Sequence, residues 1–350
     1  MDNRQAAVAT TVVVLGTGGT IAGRAQCRDD HTGYTAGQIG VQALLHGIPV
    51  PTGHHVEHEQ VAQIDSKDMG PAVWRPLLAR VQHHLQRPDV AGLVVTHGTD
   101  TLEETAYLLQ RVLCPAKPVV LTCAMRPATA LAPDGPQNLA DALLVAAHPG
   151  ARGVVVVCAG RAHRADAVQK IHPYRLDAFS SGDAGPLGQV EQGRLTLWRD
   201  WPGAAEVAGF NGNPWPSPQH RHDELLPRLL AAEGWPRVET IVSHAGADGA
   251  LVRALLAYAG PGVAPLRGLV VAGTGNGTLH QDVLAALRQA QAQGVVVWRT
   301  TRCAEGRVVP GDAPEQDGIP AIALPLAQAR LALQLALLHG DALGAAKVAG

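Results

Sequence analysis

Two glycine turns that carry threonines are the segments of this chain best suited to chemistry. Gly16-Thr17-Gly18-Gly19-Thr20 follows one apolar run, and Thr96-His97-Gly98-Thr99-Asp100-Thr101 follows another, Leu93-Val94-Val95. If both runs are buried strands of an α/β sheet, both turns lie at the carboxyl ends of strands, where such sheets place ligands. A hydroxyl there can act as a nucleophile when a base stands beside it. The helix start after Thr101 adds free N–H groups that favour an anion. Phosphate-binding readings fail on named residues: a dinucleotide fingerprint needs glycine where Ile21 stands, and a P-loop needs Lys-Ser/Thr after Gly23, where Arg24-Ala25 occur. The same test removes Gly273-Thr274-Gly275-Asn276-Gly277-Thr278, whose last position would have to be glycine. Taken singly, the first turn need only join a strand to a helix, and Asp100 or Thr101 need only cap one. That does not explain why a threonine-bearing glycine turn occurs at two strand ends.

The elements that must position these turns follow from periodicity. Thr11–Leu15, Gly92–Thr96, Pro118–Thr122 and Gly153–Cys158 read as strands buried on both faces, separated by helices near Pro71–Gln86, Leu102–Leu113 and Asn138–His148. That alternation implies parallel βα units. Five prolines and several turn formers between Arg199 and Pro227 read as a linker. A smaller alternating unit follows, with strands at Val238–Ser243, Gly268–Ala272 and Gly294–Trp298 and helices near Gly249–Tyr258, Leu279–Gln293 and Leu326–His339.

Composition bounds the function. The 350 residues are 46% hydrophobic and 17% charged, enough apolar material for two cores and outside the range of disordered chains. A net charge of −2 leaves no field to hold a polyanion, so nucleic acid is not an expected partner. No apolar run approaches the ~18 residues of a membrane span, and Ala6–Leu15, which could pass for a signal core, runs straight into the first glycine turn and reads as the first strand. The 39 glycines, about 11% against an average of about 7%, imply many backbone positions with positive φ or close approach. Five cysteines without a CxxC pair argue against a disulfide framework or a zinc site and point to a reducing, cytoplasmic compartment.

The two turns resemble the signatures of the bacterial-type L-asparaginase family, which includes the glutaminase-asparaginases. The first is Thr17-Gly18-Gly19-Thr20-Ile21-Ala22-Gly23, the second Thr96-His97-Gly98-Thr99-Asp100-Thr101-Leu102-Glu103-Glu104-Thr105-Ala106. Smaller echoes run in order through the chain: Gly33-Tyr34-Thr35, Asp65-Ser66-Lys67-Asp68-Met69, Ala124-Met125-Arg126-Pro127, Asp134-Gly135-Pro136, Gly185-Pro186-Leu187-Gly188 and Gly275-Asn276-Gly277. The resemblance implies a flavodoxin-like, parallel-sheet N-terminal domain (1–200), a linker (201–236) and a smaller C-terminal α/β domain (237–350). It implies hydrolysis of the asparagine side-chain amide to aspartate and ammonia by a threonine nucleophile, with no metal or other cofactor. It places Thr20 and Tyr34 in one catalytic set, completed by Glu315 of the second domain, and Thr99, Asp100 and Lys170 in the other. Ser66, Lys67, Gly98, Thr99 and Asp100 are the implied substrate-binding positions, and a homodimer or homotetramer with sites completed by a neighbouring subunit is the implied assembly. A lysine can serve as a base because its pKa shifts readily on burial. Asparagine and glutamine differ by one methylene, worth only ~1–3 kcal/mol to a pocket, so activity on glutamine is expected as well.

Lys67 departs from the family, whose high-affinity asparaginases often have Gln or Glu there, or Ser in cytosolic forms. Either it turns to solvent or it weakens affinity for a substrate ammonium. Thr278 is a second departure, with an open effect. Cys114 occupies a position where exported relatives place half of a disulfide, without a partner near Val81–Asp89. His54, His55, Glu57, His58 and Glu59 could be drawn as a metal site but read as a solvated strand edge. An amidotransferase subunit acting on a tRNA-bound substrate would need a basic surface that the charge balance does not supply, and a catalytically silent binding protein would have no need of every member of both threonine sets.

Overall fold

In the computed structural model, described for residues 10–201, 222–258, 260–309 and 317–340, the chain divides into two compact units, Met1–Val207 and Ala208–Gly350. The first is built on strand β1 (Thr10–Gly18), whose residues from Thr11 onward are all buried. A hairpin of β2 (Arg24–Ala25) and β3 (Tyr34–Thr35), helix α1 (Val41–Leu44), strand β4 (His54–Ile64) and helix α2 (Pro71–Leu85) follow. Then come β5 (Val90–Thr96), α3 (Leu102–Leu113), β6 (Pro118–Thr122), α4 (Gly135–Ala146) and β7 (Gly153–Cys158). The unit closes with β8 (Arg161–Arg164), β9 (Gln169–Lys170), β10 (Phe179–Ser180), β11 (Gly188–Glu191) and β12 (Arg194–Leu197).

Eight of these strands form one sheet in the order β12-β11-β8-β7-β6-β5-β1-β4. The five from β4 to β7 are parallel, and numbered along the chain their order is 2-1-3-4-5, the flavodoxin order. Side chains alternate between faces along each strand. Val12, Val14, Val94, Val120, Val155 and Val157 face α1 and α4 with Leu139, Leu143 and Ala146. Residues of the opposite parity, such as Val13, Leu15, Leu93, Val95, Leu121 and Val156, are equally buried and point to the face where α2 and α3 pack. The antiparallel extension β8-β11-β12 is absent from the sequence-based expectation, because its strands are short and carry polar residues such as Arg161, Arg164, Glu191 and Arg194.

The second unit holds α5 (His222–Ala231), a parallel sheet of β13 (Arg237–Val242), β14 (Leu266–Gly273) and β15 (Val296–Thr301), and helices α6 (Ala250–Ala257), α7 (Gln281–Ala292) and α8 (Leu326–His339). Ile241, Val252, Leu269, Val271, Leu287 and Val297 form its core with α6 and α7. The expected linker at 201–236 contains α5, which forms despite Pro227 because Leu225 and Leu229, one turn apart, are both buried. Among the described residues no helix is long and apolar enough to cross a membrane.

Candidate active site

The chain leaves β1 to one side for β4 and returns on the other for β5, so the carboxyl ends of β1 and β5 flank the point where strand order reverses. Both threonine turns lie there, where open α/β sheets bind ligands. Thr17 Oγ1 donates to the Thr96 carbonyl (2.8 Å), tying the two strand ends together. Beyond that tie the loops touch through glycines. Gly19 has φ +81°, and a Cβ on it would lie 2.3 Å from Gly98 Cα; a Cβ on Gly98 would lie 2.4 Å from Ser66 Oγ. Only glycine lets the three segments meet.

Thr20, buried in the short turn after Gly19, shares a 2.5 Å hydrogen bond with the Tyr34 hydroxyl. Tyr34 reaches it from the β2–β3 hairpin, its ring against Gly23. Burial raises the Tyr34 pKa above 10, the Thr20 hydrogen bond opposes that, and the charges of Asp65 and Asp100 add to it. Tyr34 is therefore a neutral phenol at neutral pH, able both to accept and to donate a proton.

Thr99, also buried, has a different partner. Lys170 Nζ donates to Thr99 Oγ1 (2.7 Å) and to Asp100 Oδ1 (2.6 Å). Thr99 Oγ1 lies 3.4 Å from the same Asp100 oxygen. The Lys170 side chain is 17% exposed and that of Asp100 53%, so the ammonium sits on the protein side of the carboxylate. Ser66 locks the loop from the β4 side: its Oγ accepts the Asp100 N–H (3.2 Å) and its carbonyl accepts from Thr101 Oγ1 (2.8 Å).

The loop is also braced from below. His97 Nδ1 lies 2.7 Å from the Gly98 carbonyl, which can only accept, so Nδ1 carries the proton and Nε2 accepts from Thr105 Oγ1 (2.9 Å). Thr105 in turn accepts from Trp74 Nε1 (2.9 Å). Burial pushes the His97 pKa down to about 4 and keeps the imidazole neutral. This chain of donors, and Glu103, whose carboxylate accepts the Lys170 N–H (2.5 Å), are parts of the site absent from the sequence reading. The signal available was the second motif itself, which contains His97, Glu103 and Thr105.

Of the expected residues, Thr20, Tyr34, Ser66, Gly98, Thr99, Asp100 and Lys170 come together. Lys67 does not join them: its ammonium pairs with Asp68 (2.7 Å) and Asp65 (3.3 Å), and its side chain is 61% exposed. Glu315 lies outside the described residues. Glu57 and Glu59, on edge strand β4, are engaged by Arg87 (2.6 Å) and by Arg80 (2.7 Å) with His84 (3.0 Å). Among the described residues no group of three His, Cys, Asp or Glu side chains could hold a metal ion. Cys114 is free and closes α3 in the left-handed conformation (φ 40°).

A doubly wound α/β unit with its polar residues gathered at the switch point defines the class. Within that class the chain belongs to the asparaginase family: residues 11–202 match the model of the asparaginase N-terminal domain, and residues 237–347 that of the glutaminase/asparaginase C-terminal domain. It is 35% identical over 328 residues to L-asparaginase 2 of Bacillus subtilis (strain 168), covering 93% of this chain and 81% of the relative. Identity to the glutaminase-asparaginase of Pseudomonas fluorescens biotype A is 34% over 309 residues, covering 87% and 79%. The crystal structure of a protein described as a "probable cytoplasmic L-asparaginase" from Campylobacter jejuni matches with a TM-score of 0.82 at 32% identity, over 97% of this chain and 98% of that one.

Proposed function

We propose that this chain hydrolyses the side-chain amide of L-asparagine to L-aspartate and ammonia, with a lesser activity on L-glutamine. The observation that carries the reading is the pairing of two buried threonine hydroxyls with two different proton carriers, Tyr34 at 2.5 Å from Thr20 and Lys170 at 2.7 Å from Thr99, on loops in mutual contact. An unassisted hydroxyl is a weak nucleophile, and a base within hydrogen-bond reach is what activates it. In the proposed sequence Thr20 Oγ1 attacks the amide carbon while Tyr34 relays its proton to the leaving ammonia. The resulting acyl-enzyme ester is cleaved by a water whose proton passes through Thr99 to Lys170 acting as the uncharged amine; Asp100 stabilises the lysine cation so formed, and the proton returns to Thr20 as the ester breaks. Backbone N–H groups of the Gly98 turn, Ser66 and Asp100 are proposed to hold the α-carboxylate and ammonium. Glu315 is proposed to complete the Thr20–Tyr34 set.

The assembly proposed is a homodimer or homotetramer, to be measured by light scattering. Its five free cysteines suit a reducing compartment, and the cytoplasm is proposed on that ground. Ammonia release from L-Asn, D-Asn, L-Gln and β-aspartyl peptides, compared by kcat/KM, tests the activity: L-Asn is expected to lead, and no turnover of any of them overturns the reading. Thr20→Ala and Thr99→Ala proteins trapped with substrate test the roles. An ester on Thr99 in the Thr20→Ala protein would reverse the assignment.

A further inference from the structure

Lys170 lies on a strand of two residues, β9, paired with β10 as Lys170↔Phe179 and Gln169↔Ser180. One step on, Ile171 N donates across the ladder to Ala178 O (2.8 Å). Hydrogen-bonded and non-bonded pairs alternate along an antiparallel ladder, so the Lys170–Phe179 pair is a non-bonded one and the Lys170 N–H points away from β10. It meets Glu103 Oε2 at 2.5 Å. Glu103 stands in the first turn of α3, immediately after the loop that carries Thr99 and Asp100. The lysine is thus held at both ends by one short stretch of chain, its main chain by Glu103 and its ammonium by Thr99 and Asp100.

We propose that Glu103 is a positioning residue for Lys170: its carboxylate holds the Lys170 main-chain N–H and so sets the point from which the four-carbon stem reaches Thr99. The inference rests on the reading of Lys170 as the proton carrier for Thr99. A strand of two residues cannot fix its own height over the sheet, and without Glu103 the Lys170 amide would lose its partner in a part-buried site. The helix α3 N-terminus favours a negative charge at this place. Against that, burial is the largest influence on Glu103 and lifts its pKa to about 7, with Glu104 of its own helix adding to the rise and the Lys170 N–H and ammonium of β9 opposing it. A hydrogen bond to a carboxylate is roughly twice as strong as one to a neutral acceptor. The grip on Lys170 therefore tightens as pH rises through neutrality.

The test compares full-length wild type, Glu103→Ala, Glu103→Gln and Lys170→Met in ammonia release from L-Asn between pH 5.5 and 9, with thermal melts beside each assay. Glu103→Ala is expected to lower kcat roughly 10–100-fold, as a displaced catalytic group does, with KM changed by less than about twofold. Glu103→Gln keeps an acceptor oxygen and is expected to restore most of kcat while abolishing an inflection near pH 7. A Glu103→Ala protein with wild-type kcat, or a folded Glu103→Gln protein no better than Glu103→Ala, overturns the proposal. If Glu103→Ala does not fold, persistence of the inflection in Glu103→Gln overturns it. Lys170→Met separates the two readings: retention of its kcat removes the role of Lys170 itself, whereas an inactive Lys170→Met beside a fully active Glu103→Ala removes only that of Glu103.

Discussion

Thr20 and Thr99 have hydrogen-bond partners of different kinds, the Tyr34 phenol and the Lys170 ammonium. The phenol is neutral and can pass a proton in either direction, and the lysine is anchored to a carboxylate. Tyr34→Phe keeps the ring against Gly23 and removes only the hydroxyl proposed to relay the proton; on that proposal kcat for L-Asn should fall about 10²–10⁴-fold with little change in KM, as read by steady-state ammonia release. At Lys67 the structure decides between the two alternatives left by the sequence. Its ammonium is already engaged by Asp68 and Asp65 and faces solvent. Such exposed pairs are screened by solvent and contribute little, and Lys67→Gln should leave KM for L-Asn unchanged; a clear drop in KM would mean that the cation does reach the substrate.

At the level of elements, the site depends on how closely three strand-end loops approach. Gly19→Ala would force a Cβ to 2.3 Å from Gly98 Cα at φ +81°. The left-handed backbone alone costs about 1–3 kcal/mol, and backbone facing backbone cannot yield as a flexible side chain can. Gly19→Ala should lose activity at least as severely as Tyr34→Phe and unfold at lower urea, whereas an alanine at Gly47, which has nothing within 4 Å, should meet only the backbone strain of its positive φ. The brace beneath the loop makes a second prediction. Thr105→Val removes the hydroxyl between Trp74 and His97 and takes from the buried His97 Nε2 its donor, at about 1–3 kcal/mol. The urea midpoint should fall accordingly.

For the whole molecule, buried titratable groups set the pH response. Burial pushes His97 and His163 from 6.5 down to about 4. Below 6.5 the unfolded chain takes up protons that the native one refuses, so this contribution is complete above pH 6.5 and is lost on acidification towards 4. Glu103 acts in the opposite sense: with its pKa raised from 4.5 to about 7, the native state holds the extra proton between those values and stability falls as pH rises through them. Two histidines outweigh one glutamate. Urea midpoints of the full chain should therefore drop from pH 6.5 to pH 5, and drop more steeply in Glu103→Gln, which lacks the opposing group. A flat profile in Glu103→Gln over that window, or a midpoint that rises in the wild type, would show that the buried imidazoles are charged in the native state.

Sequence alone determined the parts of this protein that depend on local pattern. Continuous Val/Leu runs specify strands buried on both faces, and the expected Pro118–Thr122, Gly153–Cys158, Leu102–Leu113 and Leu326–His339 are the observed β6, β7, α3 and α8. Either threonine turn alone could serve only to turn the chain or cap a helix, but the turns were legible because two of them occur at strand ends in one chain and together match a family signature. The polar strands β8, β11 and β12 were not, since their stability comes from partners rather than from their own composition. Lys170 was grouped with Thr99 only through the family resemblance; periodicity could not state that the two meet across 71 positions, and nothing in the sequence stated that Glu103 holds the lysine across 67. Those contacts exist only once the sheet order brings β1, β5 and the β9–β10 hairpin to one end, because hydrogen bonds act over about 3 Å while periodicity reports only which way a side chain faces.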